Sequence, residues 1–226
     1  MELNPIDLNW CVRLLPNKLR ELIKHEEIIV SGGYIRACIA KESISDIDLF
    51  TYSKEYAAEL ALQLSDNKKE KLYTTNNAIT IRTLQYPLQF ITRWTFDSPS
   101  LVVNSFDFTI CQAAFWWDHY CQKWCSIVSP SFYSDLAAKR LVYTIPIREE
   151  EPGGSMLRIL KYYQRGYKVP LDSLAKIIAR TVGKIYIDKE NMLNKEGYIK
   201  EDALFPIIRG LLYEVDPLID PDHLLH

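Results

Sequence analysis

The residues best suited to chemistry lie between Ser31 and Phe50, in the stretch SGGYIRACIAKESISDIDLF. Gly32-Gly33 follows Glu27-Ile28-Ile29-Val30, an apolar, β-branched run with the pattern of a buried strand. A glycine pair at that point lets the backbone turn sharply and present its N–H groups. A helix opening near Tyr34 adds further unpaired N–H groups and a positive dipole end, so the turn suits a phosphate. Ser31 offers a hydroxyl donor and Arg36 a fixed cation. Further on, Asp46-Ile47-Asp48-Leu49-Phe50 alternates polar and apolar residues as a half-buried strand does. That period puts Asp46 and Asp48 on one side, about 7 Å apart. Two such carboxylates are hard oxygen ligands for Mg²⁺, which keeps its other positions for water and substrate phosphates, and Mn²⁺ suits the same donors.

Each half of this signal also fits a plain turn or a pair of solvated acids. In this order, with room between them for one short helix and a return loop, they describe a nucleotide-handling centre at one edge of a sheet. Asp107, in Phe106-Asp107-Phe108-Thr109-Ile110-Cys111, has two readings of its own. It is a water-facing residue of an edge strand, or a third carboxylate brought beside Asp46 and Asp48 by strand pairing. Clustered carboxylates repel unless a cation sits among them, so the second reading requires a metal.

The surrounding pattern supplies the elements that must position these groups. Pro16 to His25 reads as a helix with Leu19, Leu22 and Ile23 on one side, and Lys54 to Leu64 as another, capped by Ser53. Short strands are expected at Lys71 to Thr74, Ala78 to Arg82 and Leu88 to Thr92, with Asn76-Asn77 as a turn. Ser98-Pro99 looks like the start of a brief helix. Ala113 to Trp117 and Trp124 to Val128 read as strands joined around Asp118-His119, with Trp116, Trp117 and Trp124 supplying packing area. Ser131 to Arg140 reads as helical and Leu141 to Ile147 as extended. The charged and then glycine-bearing run from Arg148 to Gly154 marks a domain boundary. Beyond it, Ser155 to Gln164, Leu171 to Val182 and Ala203 to Leu212 read as helices, and the acidic tail Asp216 to His226 as loosely held. Arg158, Lys161 and Arg165 share one face of the first of these helices. The expected architecture is therefore α+β: a mixed sheet with helices on one face over residues 1–148, then a small helical domain over 149–226.

Composition narrows the function classes. The chain has 226 residues, is 48% hydrophobic and 25% charged, and carries a formal net charge of -2. This is ordinary globular composition, with no apolar span of membrane length and no basic-then-apolar leader, so a cytoplasmic location is expected. A long polynucleotide partner would need a local basic patch, because neutralising phosphates supplies most of the non-specific affinity. The five cysteines lack paired metal-site spacing and read as reduced thiols.

The order of these motifs resembles the nucleotidyltransferase superfamily typified by DNA polymerase β, and most of all the head and neck of the CCA-adding and bacterial poly(A) polymerase family. The family pattern of a strand, G-G-x-V-R-D and then D-x-D is met by Gly32-Gly33-Tyr34-Ile35-Arg36-Ala37 and Asp46-Ile47-Asp48. Its R-R-D-F-T-x-N-A segment resembles Ser105-Phe106-Asp107-Phe108-Thr109-Ile110-Cys111-Gln112, in which Ser105-Phe106 stands where the family has an arginine pair associated with triphosphate binding. Asp135-Leu136 through Arg140-Leu141-Val142 resembles a further family segment. The neck helix L-R-x-x-R-F ending in G-F resembles Leu157-Arg158-Ile159-Leu160-Lys161-Tyr162 ending in Gly166-Tyr167.

The resemblance implies a metal-dependent nucleotidyltransferase. An acceptor hydroxyl attacks the α-phosphorus of a nucleoside triphosphate and pyrophosphate leaves. Asp46, Asp48 and Asp107 would serve a two-ion Mg²⁺ site, with Ser31, Gly32, Gly33 and Arg36 at the β and γ phosphates and Arg158 or Lys161 approaching from the neck. The implied acceptor is an RNA 3′ end. The mild acidity and the roughly sixty residues after the neck favour instead a protein side chain or a small molecule. A third reading, motivated by Ala37 and the missing arginine pair, is a catalytically silent nucleotide-binding module on the same fold.

Overall fold

A computed structural model describes residues 1–66, 71–83, 85–146, 153–183 and 192–213. The described residues divide into two compact units, 1–138 with 144–146, and 139–143 with the residues from 153 onward. The expected boundary at Arg148-Glu149 and the acidic tail lie outside the described residues.

The first unit is built on seven short strands, β1 (Ile29–Ser31), β2 (Ile47–Phe50), β3 (Leu72–Thr74), β4 (Ala78–Ile81), β5 (Leu88–Ile91), β6 (Ala113–Asp118) and β7 (Lys123–Val128). They lie in the order β3-β4-β5-β2-β1-β6-β7. Among the described strands β2 and β5 run parallel and the other pairs are antiparallel, so the sheet is mixed. A parallel pair needs a crossover, and helix α4 (Lys54–Leu64) with the β3–β4 hairpin provides it. The central strands carry the core: Val30, Leu49, Phe90 and Phe115 are wholly buried.

Local chemistry explains the helices. Ser53 caps α4 by accepting from the Tyr56 N–H at 3.1 Å, as its position before a run of helix formers predicts. Helix α2 (Asn17–His25) buries Leu19, Leu22 and Ile23 and presents Arg20, Glu21 and Lys24 outward or half-outward. An N-terminal helix, α1 (Pro5–Leu14), lies outside the expected elements; Asn4 caps it, accepting from the Ile6 N–H at 2.9 Å, and Pro5 occupies the first turn. Helix α3 (Gly33–Ala40) follows β1 directly and ends on Lys41 in the left-handed conformation. Short helices α5 (Pro99–Asn104) and α6 (Phe132–Ala137) complete the unit.

One expected strand is corrected. Phe106 to Cys111 forms no continuous strand: Asp107 lies in a bend after α5, Phe108 is extended and makes an isolated bridge, and Thr109–Cys111 forms a single 3-10 turn. Side-chain bonds and a single backbone bond take the place of a strand ladder there. Gln112 donates from Nε2 to the Phe106 carbonyl at 3.0 Å and to Thr144 Oγ1 at 2.8 Å, and the Thr144 N–H donates to the Asp107 carbonyl at 2.8 Å. Residues 141–146 likewise form no strand.

The second unit is helical, with α7 (Gly153–Gln164), α8 (Leu171–Gly183) and α9 (Glu201–Tyr213). Gly166, at φ +82°, stops α7; its N–H and that of Tyr167 return to the Tyr163 and Tyr162 carbonyls at 2.9 and 3.1 Å. The turn brings Tyr162 and Tyr167 into an edge-on contact 5.5 Å between centroids. Among the described residues no helix is long and apolar enough to cross a membrane.

Candidate functional site

Strand register decides which candidate groups meet. Across β1, Ser31 lies opposite Asp48 of β2 on one side and Ala114 of β6 on the other. Gly32 follows at φ +82° and ψ -141°, a conformation that L side chains rarely adopt. A Cβ on Gly32 would stand 3.0 Å from two ring carbons of Phe106 and 3.3 Å from Oδ2 of Asp48. The glycine turn and one carboxylate thus lie side by side, and a side chain at position 32 would press on both the ring and the acid. Asp46 and Asp48 are both half-buried, Asp46 just ahead of β2 and Asp48 as its second residue. Ser45 Oγ donates to Asp46 Oδ1 at 3.1 Å.

The helix that opens beside this carboxylate is α3. Its N-cap, Gly32, makes no side-chain capping bond, and the Gly32 N–H itself turns into the sheet, reaching the Ala113 carbonyl at 3.3 Å. The donors suited to an anion are consequently those of the first turn of α3, beginning at Gly33, with the positive end of the helix dipole behind them.

Three of the candidate residues lie inside the fold. Ser31 is fully buried and its Oγ donates to the Ala113 carbonyl at 2.6 Å, so its single hydroxyl hydrogen is engaged inside the sheet and is not offered to a phosphate. Arg36 is 1% exposed and its guanidinium is ion-paired with Glu42. Helix α3 turns Arg36 toward the core, where a charge must be matched, and Glu42 matches it. Asp107 is 1% exposed and comes from a bend. Among the described residues no group of three or more His, Cys, Asp and Glu side chains is placed to hold a metal ion; Asp46 and Asp48 form a pair at the start of β2. Arg158 is half-buried and Lys161 exposed on α7, in the second unit.

That pair still fits a hard divalent cation. It is an all-oxygen donor set on half-exposed side chains one residue apart, beside helix N–H groups that would hold a phosphate, and Mg²⁺ completes its shell with water and phosphate oxygens. Sequence reasoning missed Phe106 as a wall of the site. The ring packs on Gly32, and edge-on against Phe50 at 6.0 Å. Its position in the arginine-pair slot was the available signal. Behind α3, Cys11 and Cys38 are buried; their mutual hydrogen bond, and then burial, push the Cys11 thiol up, which keeps it a neutral core group.

Comparison with known proteins gives two kinds of match. The sequence model of the Gabija anti-defense 2 family protein matches residues 6–139. A curated relative, Gabija anti-defense 2 of Bacillus phage SPbetaL7, is 28% identical over 101 residues, 45% of this chain and 25% of that protein. Among solved structures, the Thermotoga maritima CCA-adding enzyme complexed with tRNA superposes with a TM-score of 0.53 and 16% identity, covering 78% of this chain and 45% of that one. A CCA-adding enzyme with ATP gives 0.55 and 16%, over 78% and 44%, and an apo tRNA-processing enzyme gives 0.54 and 20%, over 75% and 48%. The chain spans a quarter of the curated relative and less than half of each of these solved chains. At such identities the structural likeness establishes a nucleotidyltransferase-like fold.

Proposed function

The chain belongs to the Gabija anti-defense 2 family, and from that premise we propose that it counters a defence system by metal-dependent nucleotidyl transfer from a nucleoside triphosphate to an acceptor hydroxyl. The observation that carries this reading is the closeness of the Asp48 carboxylate to Gly32, the N-cap of α3. The likeness to proteins solved with ATP and with tRNA supports it at the level of the fold.

In this reading the first turn of α3 binds the β and γ phosphates, and Phe106 closes the side of the loop. Asp46 and Asp48 would hold Mg²⁺, or Mn²⁺, which when bound neutralises the triphosphate and lowers the pKa of an attacking hydroxyl. The acceptor oxygen bonds to the α-phosphorus, its bond to the bridging oxygen breaks, and pyrophosphate leaves with the pair while the hydroxyl proton passes to solvent. Arg158 and Lys161 are proposed as further nucleotide contacts on the sequence resemblance. Positioning and charge neutralisation carry the acceleration. The proposed setting is the cytoplasm, where triphosphates are available. The proposed acceptor is an RNA 3′ end, with a protein side chain as the alternative.

A second reading, a silent nucleotide-binding module, is favoured by the engagement of Ser31 and Arg36 within the fold and by Phe106 in the arginine slot. One experiment separates them. The protein is incubated with each α-labelled triphosphate, Mg²⁺ and either total RNA or cell extract. Label in RNA or in protein supports transfer and names the acceptor class; triphosphate binding with no label on any macromolecule or small product supports the silent module.

A further inference from the structure

A cleft lies at the other end of the same central strands. Gly32 and Asp48 mark one end of the β1–β2 pair, while Ile29 pairs with Phe50 and Trp116 toward the opposite end. Two steps along β2, from Asp48 to Phe50, separate them by about 7 Å. Around that opposite end lies a cleft of about 330 Å³, within the size range of small-ligand sites.

Its lining has a consistent chemistry. Four aromatic residues contribute to it, Tyr52, Phe96, Trp116 and Trp117. Three carboxylates also line it, Glu27 from the entry to β1, Asp97 ahead of α5 and Asp118 at the end of β6, together with His119. No lysine or arginine is among the lining residues. Aromatic faces carry negative quadrupole potential and attract cations, and carboxylates add to that field, whereas a phosphate or nucleotide would be repelled. Trp117 already shows the preference: Lys24 Nζ, held by Glu21 at 3.1 Å, lies 6.0 Å from its ring centroid. The rings at this end are also ordered by their neighbours, Phe96 on Phe50 at 6.0 Å and Trp117 edge-on to Trp124 at 5.4 Å, so the cleft needs little reorganisation to receive a ligand.

We infer that this cleft binds an organic cation, a guanidinium or ammonium group on a short apolar stem. The inference is independent of the proposed nucleotidyl transfer, because it concerns residues at the far strand ends and its test reads binding alone.

The test titrates the full chain with N-acetylarginine amide and, as a neutral isostere, N-acetylcitrulline amide, following tryptophan fluorescence and calorimetric heat. Saturable binding of the arginine compound is expected, at least about tenfold tighter than the citrulline compound, since cation–π and carboxylate contacts together are worth that factor or more. Glu27→Gln with Asp97→Asn, both on exposed side chains, should remove that preference while leaving the circular dichroism spectrum unchanged. Two further arms name the source. Tighter binding of agmatine or choline points to a free small cation, and tighter binding of a short arginine peptide points to a partner's side chain. Equal affinity for the two amides, no binding of either, or an unchanged preference in the double variant overturns the inference.

Discussion

At the scale of single residues, Gly32 has little latitude. A side chain there faces a positive φ, two ring atoms at 3.0 Å and a carboxylate oxygen at 3.3 Å. Gly32→Ala is therefore expected to cost about 1–3 kcal/mol, from the strained backbone with the displaced ring and acid added, read as a shift in urea midpoint. Arg36 and Glu42 give a second expectation. Glu42→Ala would leave a guanidinium buried without this carboxylate and should cost about 3 kcal/mol in the same measurement, more than an exposed ion pair such as Lys18 with Asp66 would. These two cases also show what sequence could convey. The glycine pair and the spaced aspartates are local patterns, and they meet where alternation and strand pairing put them. The partners of Ser31 and Arg36 are not local patterns: Ala113 lies 82 residues from Ser31, and nothing in the types Ser and Arg tells a phosphate donor from a core hydrogen bond or a buried ion pair.

At the scale of elements, the apolar periodicity of α2 and α4 was legible because each has enough residues to state its period, and the β3 to β5 strands were legible from their β-branched and aromatic runs between turn residues. Helix α1 went unread, although Asn4-Pro5 is a recognisable helix start. Its stripe is short, with only Cys11 and Val12 buried along it. Removing its cap should matter measurably: Asn4→Ala is expected to lower stability by about 1 kcal/mol, visible as a lower melting temperature. The segment around Asp107 misled in the opposite direction. Phe106-Asp107-Phe108 alternates like a strand, yet the Gln112 amide and the Thr144 backbone satisfy its carbonyls, and the chain turns instead. Short alternating runs fit a turn as well as a strand when long-range side chains replace the ladder.

At the scale of the whole molecule, a chain of net charge -2 has no general attraction for nucleic acid, so any RNA acceptor must be held by local contacts. The two ends of the central strands also differ in sign: helix N–H groups beside Asp48 invite an anion with its cation, and the aromatic and acidic cleft at the far end disfavours one. The fold class followed from the order of motifs, since a glycine turn and a spaced aspartate pair require a strand, a helix and a returning strand between them. The most direct test is pyrophosphate release from labelled triphosphates in Mg²⁺ and cell extract, comparing the chain with Asp46→Asn plus Asp48→Asn. Release by the unaltered chain, reduced about a thousandfold or more in the variant with its circular dichroism unchanged, is the result this account predicts. Equal release by both proteins would contradict it.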